Sequence, residues 1–286
     1  RTLAPRKRAA QVNDLLGIVG LGLILALIGV IIWWLIIPTE GVYLGRRAVI
    51  WLYDRFAHRY DGVKNYYREY EQMYLAQPIM EAIKPHKSPL ILDVATGTGR
   101  LPLAMMRHND FQGRVVGIDL SRKMLHYAAK NLYPYEDRVD FLWSPAEDLP
   151  FAEDTFDVVT CLEALEFMSD PKGVLQELVR TLRPGGLLLV TQRLNTRLMP
   201  GKTWSSGEIQ TVLADMGVTN AKAQIWQVDY RKVWGRKGGQ SAATGARLLE
   251  EILRCPKCCQ YLMQRQAGRW ICEECAGRAK RRRRFG

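Results

Sequence analysis

Two aspartates on either side of a glycine-rich turn are the residues of this sequence best placed to do chemistry. Asp93 follows the apolar run 90–92, and the turn after it holds Gly97 and Gly99. Asp119 ends a second apolar run, twenty residues beyond Gly99. A carboxylate at the first position can accept hydrogen bonds from an amino group, and one at the second can take both hydroxyls of a ribose. The pair predicts a nucleoside ligand with an amino-bearing end.

The same turn argues against a dinucleotide. Dinucleotide sites have a third glycine in the pattern Gly-x-Gly-x-x-Gly, and this sequence has Pro102 there. A carboxylate at Asp93 would also repel a pyrophosphate. An amino-acid end near Asp93 and a ribose on Asp119 together describe S-adenosylmethionine. A glycine turn made only for packing is the alternative.

Several motifs resemble those of the class I S-adenosylmethionine-dependent methyltransferases. Residues 93–99, read DVATGTG, resemble motif I of that superfamily. The other motifs follow in order: 117–121 (GIDLS, the ribose motif), 144–151 (SPAEDLPF, the adenine side), 156–159 (FDVV, the fourth strand) and 182–186 (LRPGG, the turn before strand five). The match covers roughly residues 49–237. It is most similar to the ubiquinone/menaquinone C-methyltransferase-like (methyltransferase type 11) group, partly through residues 53–61, read YDRFAHRYD.

The resemblance implies a fold, a cofactor and a set of binding residues. The fold is an α/β domain with a Rossmann-like, doubly wound, seven-stranded sheet, and the cofactor is S-adenosyl-L-methionine. Tyr60 would approach the methionine end of that cofactor. The implied cofactor-binding residues are Asp93, Ala95, Thr96, Gly97, Gly99, Asp119, Leu120, Ala146, Glu147 and Tyr60.

The helices and strands that must position these residues can be predicted from hydrophobic runs and from the turn-forming residues between them. Strands are predicted at 90–94, 114–118, 139–143, 156–161 and 187–191, helices at 100–108, 121–132 and 171–182, and a closing hairpin at 220–227 and 229–236. Ser205 and Glu208 form a capping box that opens a further helix, which Gly217 ends. This alternation predicts a parallel sheet with helices on both faces and a ligand at the carboxyl ends of its strands.

The acceptor side of the site is less defined. Methyl transfer from a sulfonium depends on alignment and desolvation, and a general base is needed only if the acceptor must lose a proton. Glu166 and His58 are the candidate catalytic residues, and packing is the alternative for His58. Residues 163–168, read EALEFM, depart from the Arg-Asn pattern that we associate with the quinone enzymes, so the acceptor stays open.

The N-terminal region predicts a membrane anchor. A basic head at 1–14 precedes residues 15–37, a run of 23 without a charge. As a helix this run would span about 35 Å, against a hydrocarbon core of about 30 Å. A cleaved signal peptide is the alternative, but no small-residue cleavage site is evident after Ile37. Flanking charge barely decides orientation, but the cofactor and reduced thiols place the catalytic domain in the cytoplasm. The expectation is a single-pass membrane protein.

Residues 46–83 predict an amphipathic helix at the start of the methyltransferase domain, which we assign to 46–237. Tyr53, Phe56, Tyr60 and Tyr67 form its aromatic stripe. The stripe is interpreted as packing, as a lid over the cofactor, or as a surface that rests on the membrane and guides a lipid-soluble acceptor.

Four cysteines near the C-terminus predict a metal site. Cys255, Cys258, Cys272 and Cys275 form two Cys-x-x-Cys pairs with thirteen residues between them, a spacing that can offer four thiolates to Zn²⁺. The expected modules are a flexible linker at 238–250 and a zinc ribbon at 251–277. Disulfides are the alternative, and a cytoplasmic location argues against them. Cys161 and Cys259 are left over.

The last 35 residues carry much of the net charge of +12, because they contain ten Lys or Arg against two Glu. The basic tail at 278–286 could bind anionic lipid headgroups, or the ribbon and tail could bind nucleic acid or protein. The leading hypothesis is methyl transfer to a hydrophobic or membrane-borne small molecule, a lipid or a quinone-like compound. The alternatives are methylation of a docked protein or RNA, and a non-catalytic membrane-bound scaffold.

Overall fold

The computed structural model describes residues 5–64, 67–194, 199–258, 260–266 and 269–275. The chain divides into two compact units, Arg1–Val49 and Ile50–Gly286. The predicted basic tail at 278–286 and Cys259 lie outside the described residues, so the predictions for them stay predictions.

The first unit consists mainly of the helix α1 (Pro5–Ile36). Its stretch Asn13–Ile36 is long and apolar enough to cross a membrane, in good agreement with the predicted span of 15–37. Its side chains are exposed, unlike those of a core helix, although a signal sequence would have the same composition. After the helix ends, Thr39 Oγ1 donates to Leu35 O at 2.9 Å and Trp34 stacks on Tyr43.

The second unit is built on a seven-stranded sheet. The strands are β1 (Leu90–Val94), β2 (Arg114–Asp119), β3 (Val139–Trp143), β4 (Phe156–Cys161), β5 (Leu182–Arg193), β6 (Val218–Ile225) and β7 (Tyr230–Lys237). Their order is β3-β2-β1-β4-β5-β7-β6, and β7 runs antiparallel to both of its neighbours while the pairs among β1 to β5 are parallel. The predicted Rossmann-like sheet is confirmed.

Helices cover both faces of this sheet. Those after β1 are α5 (Arg100–Met106), α6 (Arg122–Asn131), α7 (Pro171–Thr181) and α8 (Ser206–Asp215). Every residue of β1 is buried, as expected for a central parallel strand that is covered on both faces. Leu90, Leu92 and Val94 pack into one hydrophobic cluster and Ile91 into the other, because successive side chains of a strand point to opposite faces.

The predicted helix at 46–83 is divided into several pieces. The structure has α2 (Arg46–Lys64), α3 (Arg68–Glu71), a π-helical turn (Gln72–Ala76) and α4 (Gln77–Ala82). Pro78 stands in the first turn of α4, and because it has no N–H it cannot continue the hydrogen-bond series of the π turn before it. The wider π turn lies directly before that proline.

The segment predicted as a flexible linker has a defined path. It contains no helix or strand from 238 to 248, but Thr244 N and Gly245 N donate to the Asp157 carboxylate at 2.9 and 3.0 Å. Ser241 O accepts from Arg183 Nη1 at 3.2 Å. The buried Asp157 requires hydrogen-bond donors, and the linker backbone supplies two of them.

The cysteine-containing module packs directly on the sheet domain. Its strands β8 (Gln264–Gln266) and β9 (Arg269–Ile271) are antiparallel. Leu253 forms a β-bridge with Phe151, and Arg254 N donates to Pro150 O at 2.8 Å. The buried side chains of Leu253 and Trp270 belong to the hydrophobic cluster that also contains Phe151. The module therefore shares a core with the segment that follows β3.

Candidate active site

The turn between β1 and α5 provides room for a ligand. Gly97 has a φ of +56°, and a Cβ placed on it would have no atom within 4 Å. At Gly99, with a φ of +85°, a Cβ would lie 2.5 Å from Leu132 Cδ1. Gly97 therefore leaves space beside the backbone, whereas Gly99 allows α6 to pack closely. Ala95, at a φ of +57°, also takes the left-handed conformation.

The Asp93 carboxylate lies at the end of β1 and is held by two hydroxyl groups. Thr96 Oγ1 donates to its Oδ2 at 2.6 Å, and Thr160 Oγ1 donates to its Oδ1 at 2.7 Å. Burial raises the pKa of Asp93 to about 6, although both hydroxyl groups oppose this shift. The carboxylate has a fixed orientation before any ligand binds.

The Asp119 carboxylate lies across the turn from Asp93. Gly97 N donates to its Oδ2 at 2.9 Å and Ser121 N donates to its Oδ1 at 2.8 Å. Burial raises the pKa of Asp119 to about 6, against the effect of these backbone donors. A carboxylate oxygen can accept two hydrogen bonds, so each oxygen can take a further donor such as a ribose hydroxyl.

The segment after β3 supplies the predicted adenine side. Ala146 is buried, Glu147 and Leu120 are half-buried, and Leu120 O accepts from Trp143 Nε1 at 2.8 Å. Ser144 Oγ is buried and has no hydrogen-bond partner among the described residues. Such an atom is costly unless something pairs with it, so it fits a polar ligand at this edge. Ser144 is not among the site residues predicted from the sequence.

The helix α2 covers the site and is fixed by two acids that the sequence analysis missed. Asp54 accepts from Ser121 Oγ at 2.5 Å, and Asp61 accepts from Thr98 Oγ1 at 2.5 Å. These acids are seven residues apart and therefore lie on one face of the helix, a signal that the sequence did contain. Tyr60 lines the cavity beside Asp93. Phe56 and Tyr67, from the predicted stripe, are exposed.

A buried ionic network borders the same cavity and was not predicted. Arg100 Nε and Nη2 donate to the two Glu71 oxygens at 2.7 and 2.9 Å, and its Nη1 donates to Glu163 Oε1 at 2.6 Å. The three side chains are between 7% and 10% exposed. The guanidinium lies 4.7 Å from the ring centre of Trp226. The network ties α3 to the end of β4, beside the glycine turn.

The two candidate catalytic residues occupy different environments. Glu166 is buried, accepts from Tyr230 Oη at 2.5 Å and lies 3.6 Å from Arg193 Nη1. Burial and the neighbouring carboxylate raise the pKa of Tyr230, so this hydroxyl stays protonated as a donor. Glu166 lines a second cavity with residues of β5. His58 is exposed on α2 and does not line the cavity of Tyr60 and Asp93.

The four cysteines converge as predicted. Their Sγ atoms lie within 4.8 Å of one another, with 3.9 Å between Cys255 and Cys275 and 3.8 Å between Cys258 and Cys272. Tetrahedral Zn²⁺ with Zn–S bonds of about 2.3 Å would separate its sulfur ligands by about 3.8 Å. The donor set therefore fits zinc, and its four thiols would complete a closed structural site.

Comparison with known proteins gives a consistent result. A family model described as a methyltransferase domain matches residues 92–190. The chain is 29% identical over 143 residues to the demethylmenaquinone methyltransferase of Porphyromonas gingivalis, covering 49% of this chain and 58% of the relative. It is 29% identical over 151 residues to the ubiquinone/menaquinone biosynthesis C-methyltransferase UbiE of Geotalea daltonii, covering 49% and 61%. The chain thus spans less than two thirds of the length of these relatives.

A solved structure with the same fold comes from Haloferax volcanii. It is a candidate methyltransferase in complex with the Trm112 methyltransferase activator, with a TM-score of 0.54 and 20% identity, covering 66% of this chain and 97% of that one. At this identity the likeness shows the fold alone. The methyltransferase family model, the sequence relatives and the geometry of the glycine turn agree, and all three support the resemblance of this domain to the class I S-adenosylmethionine-dependent methyltransferases.

Proposed function

We propose that this protein transfers a methyl group from S-adenosylmethionine to a hydrophobic, membrane-borne small molecule, a lipid or a quinone-like compound. The observation that carries the proposal is the presence, in one chain, of an apolar helix long enough to cross a bilayer and a two-carboxylate glycine turn. The names of the relatives, which are quinone methyltransferases, support a hydrophobic acceptor. We place the catalytic domain on the cytoplasmic side, where the cofactor and reduced thiols occur.

Each group of residues around the turn would bind a different part of the cofactor. Asp93 would face the amino end, Asp119 the ribose hydroxyls, and the segment of Ala146 and Glu147 the adenine. Thr96 and the bare backbone of Gly97 would complete the cradle. When bound, the cofactor supplies a methyl group made electrophilic by the sulfonium. The work of the protein is then to align the acceptor and exclude water.

We propose Glu166 as the acceptor-side base, where a base is required. Its carboxylate is buried, lies 3.6 Å from Arg193 Nη1 and follows β4 at the carboxyl-end edge of the sheet. The hydroxyl of Tyr230 orients it. His58, the second candidate, is exposed on α2 and is less suited to act in a site that excludes water.

We also propose that Zn²⁺ occupies the four-cysteine site in a structural role. The support is the agreement between the observed sulfur separations and those of a tetrahedral site. Zinc would hold the ribbon folded against Phe151. The sequence interpretation of the basic tail as a lipid-headgroup contact remains a proposal.

The proposal can be tested by locating the transferred methyl group. Membranes containing the full chain would be incubated with methyl-labelled S-adenosylmethionine and extracted with organic solvent. We expect label in the lipid extract, and about tenfold to a hundredfold less at low cofactor concentration when the membranes contain the Asp119→Asn variant. Label only in protein or RNA would instead favour macromolecule methylation through the ribbon. Failure of calorimetry to detect cofactor binding would favour a non-catalytic scaffold.

A further inference from the structure

The helix α2 carries acids that are paired with the sheet domain and, beside them, exposed basic residues. Asp54 and Asp61 accept hydrogen bonds from Ser121 and Thr98 of the sheet domain. We call the exposed side away from the buried Leu52 and Ala57 the outer face of α2. Its residues are spaced four, three and one apart, so they lie along one side of a helix, and all are exposed: Trp51, Arg55, His58 and Arg59.

The charge on the outer face of α2 is entirely basic. Both acids in this part of the helix accept hydrogen bonds from hydroxyl and amide donors of the sheet domain. Neither Arg55 nor Arg59 has an ion-pair partner among the described residues. Two guanidinium groups therefore project from one side of the helix, next to an imidazole, and the complementary partner is an anionic surface.

An aromatic side chain lies among these cations. Trp51 is 63% exposed, although burial of a large indole ring is generally favourable. Tryptophan beside arginine on an exposed helical face is typical of helices that lie in a bilayer interface, where the indole reaches the headgroup level. The outer face of α2 therefore combines the two features that such a surface requires.

The position of this face in the chain favours lipid over nucleic acid. Trp51 follows the last residue of the apolar helix, Ile36, by fifteen residues. A chain of that length reaches no more than about 50 Å. If the apolar helix is in a bilayer, headgroups are tethered close to the outer face at high effective concentration, whereas an RNA would have to be recruited.

We infer that the outer face of α2 binds the headgroup surface of an anionic bilayer. This inference rests on the membrane attachment in the proposed function and extends it to a particular surface. It differs from the sequence interpretation, in which one of three alternatives let the stripe of Tyr53, Phe56, Tyr60 and Tyr67 rest on the membrane; of these, Tyr53 and Tyr60 face each other. Those rings are 6.0 Å apart, and Tyr53 packs on Phe167 of the sheet domain.

The contact would also keep the lid in place. Tyr60 lines the cofactor cavity from the same helix whose outer face meets the headgroups, and Asp61 holds the turn residue Thr98. Binding of the outer face to lipid restrains α2 against opening. The helix thus links the membrane surface to the cofactor site through its two faces.

The test uses the full chain in vesicles made with a phosphatidylcholine that has brominated acyl chains, which quench nearby tryptophan. The vesicles contain that lipid alone or mixed with phosphatidylglycerol. The difference in fluorescence between the wild type and Trp51→Phe isolates the Trp51 signal. We expect Trp51 to be quenched in the phosphatidylglycerol mixture. The Arg55→Glu/Arg59→Glu variant should lose this quenching, since each basic residue shifts such an equilibrium about fivefold.

A matched control reverses two exposed charges elsewhere. Lys130→Glu/Lys222→Glu changes α6 and β6 at exposed positions and should keep the Trp51 quenching. Quenching that is absent, or that survives the loss of Arg55 and Arg59, would overturn the inference. A shift of structured RNA on a gel that requires the two arginines, without quenching, would overturn it in favour of nucleic acid.

The outcomes separate this inference from the proposed function. Quenching of Trp51 without methyl label in the lipid extract would support the membrane contact and contradict the proposed acceptor. Methyl label in the lipid extract without quenching of Trp51 would support the proposed acceptor and contradict the membrane contact of the outer face. If the chain fails to float with vesicles after an alkaline wash, membrane attachment fails, and the inference fails with it.

Discussion

The two candidate ligand sites of this protein depend on the fold in opposite ways. At the glycine turn, Asp93 and Asp119 are held in place by hydroxyl and backbone donors of the sheet domain, so the site is formed without a ligand. The cysteine cluster sits in a module with one short two-stranded sheet. Such a module is too small to stabilise itself through a core, so its geometry should depend on the metal.

The contact between Leu253 and Phe151 joins these two regions. Phe151 ends the segment that forms the predicted adenine side, so the cysteine-containing module packs against one wall of the candidate site. Removing the metal, replacing a residue beside the glycine turn and truncating the contact between the two regions should therefore affect stability differently.

Metal removal should have the largest effect and should be confined to the module. Structural zinc contributes about 10 kcal/mol or more to the folding of small zinc modules, so chelation should unfold the ribbon. Elemental analysis should find one zinc ion per chain. Hydrogen exchange after chelation should show loss of protection in β9, with β1 and β4 still protected. Equal loss in β1 would contradict the claim that the sheet domain forms independently of the metal.

Replacing Arg100 should destabilise the preformed site. The Arg100→Gln variant leaves Glu71 and Glu163 as buried carboxylates without their partner, which typically costs about 3–5 kcal/mol. Urea unfolding followed by fluorescence would measure the change. Arg107→Gln, an exposed arginine after the same helix, is the control. A similar small cost for both variants would show that the network does not shape the site.

Truncating Leu253 should weaken the contact between the two regions. Leu253 is 1% exposed, and Leu→Ala at such a position costs about 2–5 kcal/mol. Leu248, at 50% exposure, provides the matched control, and its substitution by alanine should cost less than about 0.5 kcal/mol. The measurement is the midpoint of thermal unfolding. If both variants lowered the midpoint equally, Leu253 would not stabilise the contact between the ribbon and the sheet domain.

Changes in pH should act on stability and cofactor affinity in opposite directions. The pKa values of Asp93 and Asp119 in the folded protein are about 6, above the ordinary value of 3.8. The folded state therefore binds protons more readily than the unfolded state. These groups therefore favour folding of the ligand-free protein as the pH falls through 6 towards 4. Ligand binding needs their ionised forms, so the dissociation constant should rise about fivefold per carboxylate between pH 6 and pH 5.

Calorimetric titration with S-adenosylhomocysteine at pH 7.5, 6 and 5 would check the affinity, with urea unfolding of the ligand-free protein at the same pH values. An affinity that is constant over this range would show that the carboxylates do not need to be ionised. A loss of stability towards pH 5 would contradict the direction assigned to their pKa shifts.

The sheet could be predicted because its signals are local. Strands β1, β3 and β4 match the predicted ranges, since each is a short apolar run between turns. The positions of Asp93 and Asp119 follow from those boundaries, because carboxyl ends of parallel strands meet at one edge. The capping box of Ser205 and Glu208 is likewise formed as predicted.

The contacts that connect distant parts of the chain could not be predicted. Asp157 binds the backbone of Thr244, 87 residues later, and periodicity carries no information about such a pairing. The Arg100 network likewise draws its acids from two separate elements. The same reason explains why the contacts of the predicted linker, residues 238–250, with Asp157 and Arg183 could not be predicted.

The most direct test of the central claim is the affinity of the two-carboxylate site itself. Titration of the full chain with S-adenosylhomocysteine would compare wild type with Asp93→Asn and Asp119→Asn, and with Asp215→Asn as an exposed control. We predict a loss of about tenfold to a hundredfold for each site variant, as expected for hydrogen bonds to a charged group, and no change for the control. Unaltered dissociation constants in both site variants would contradict the account.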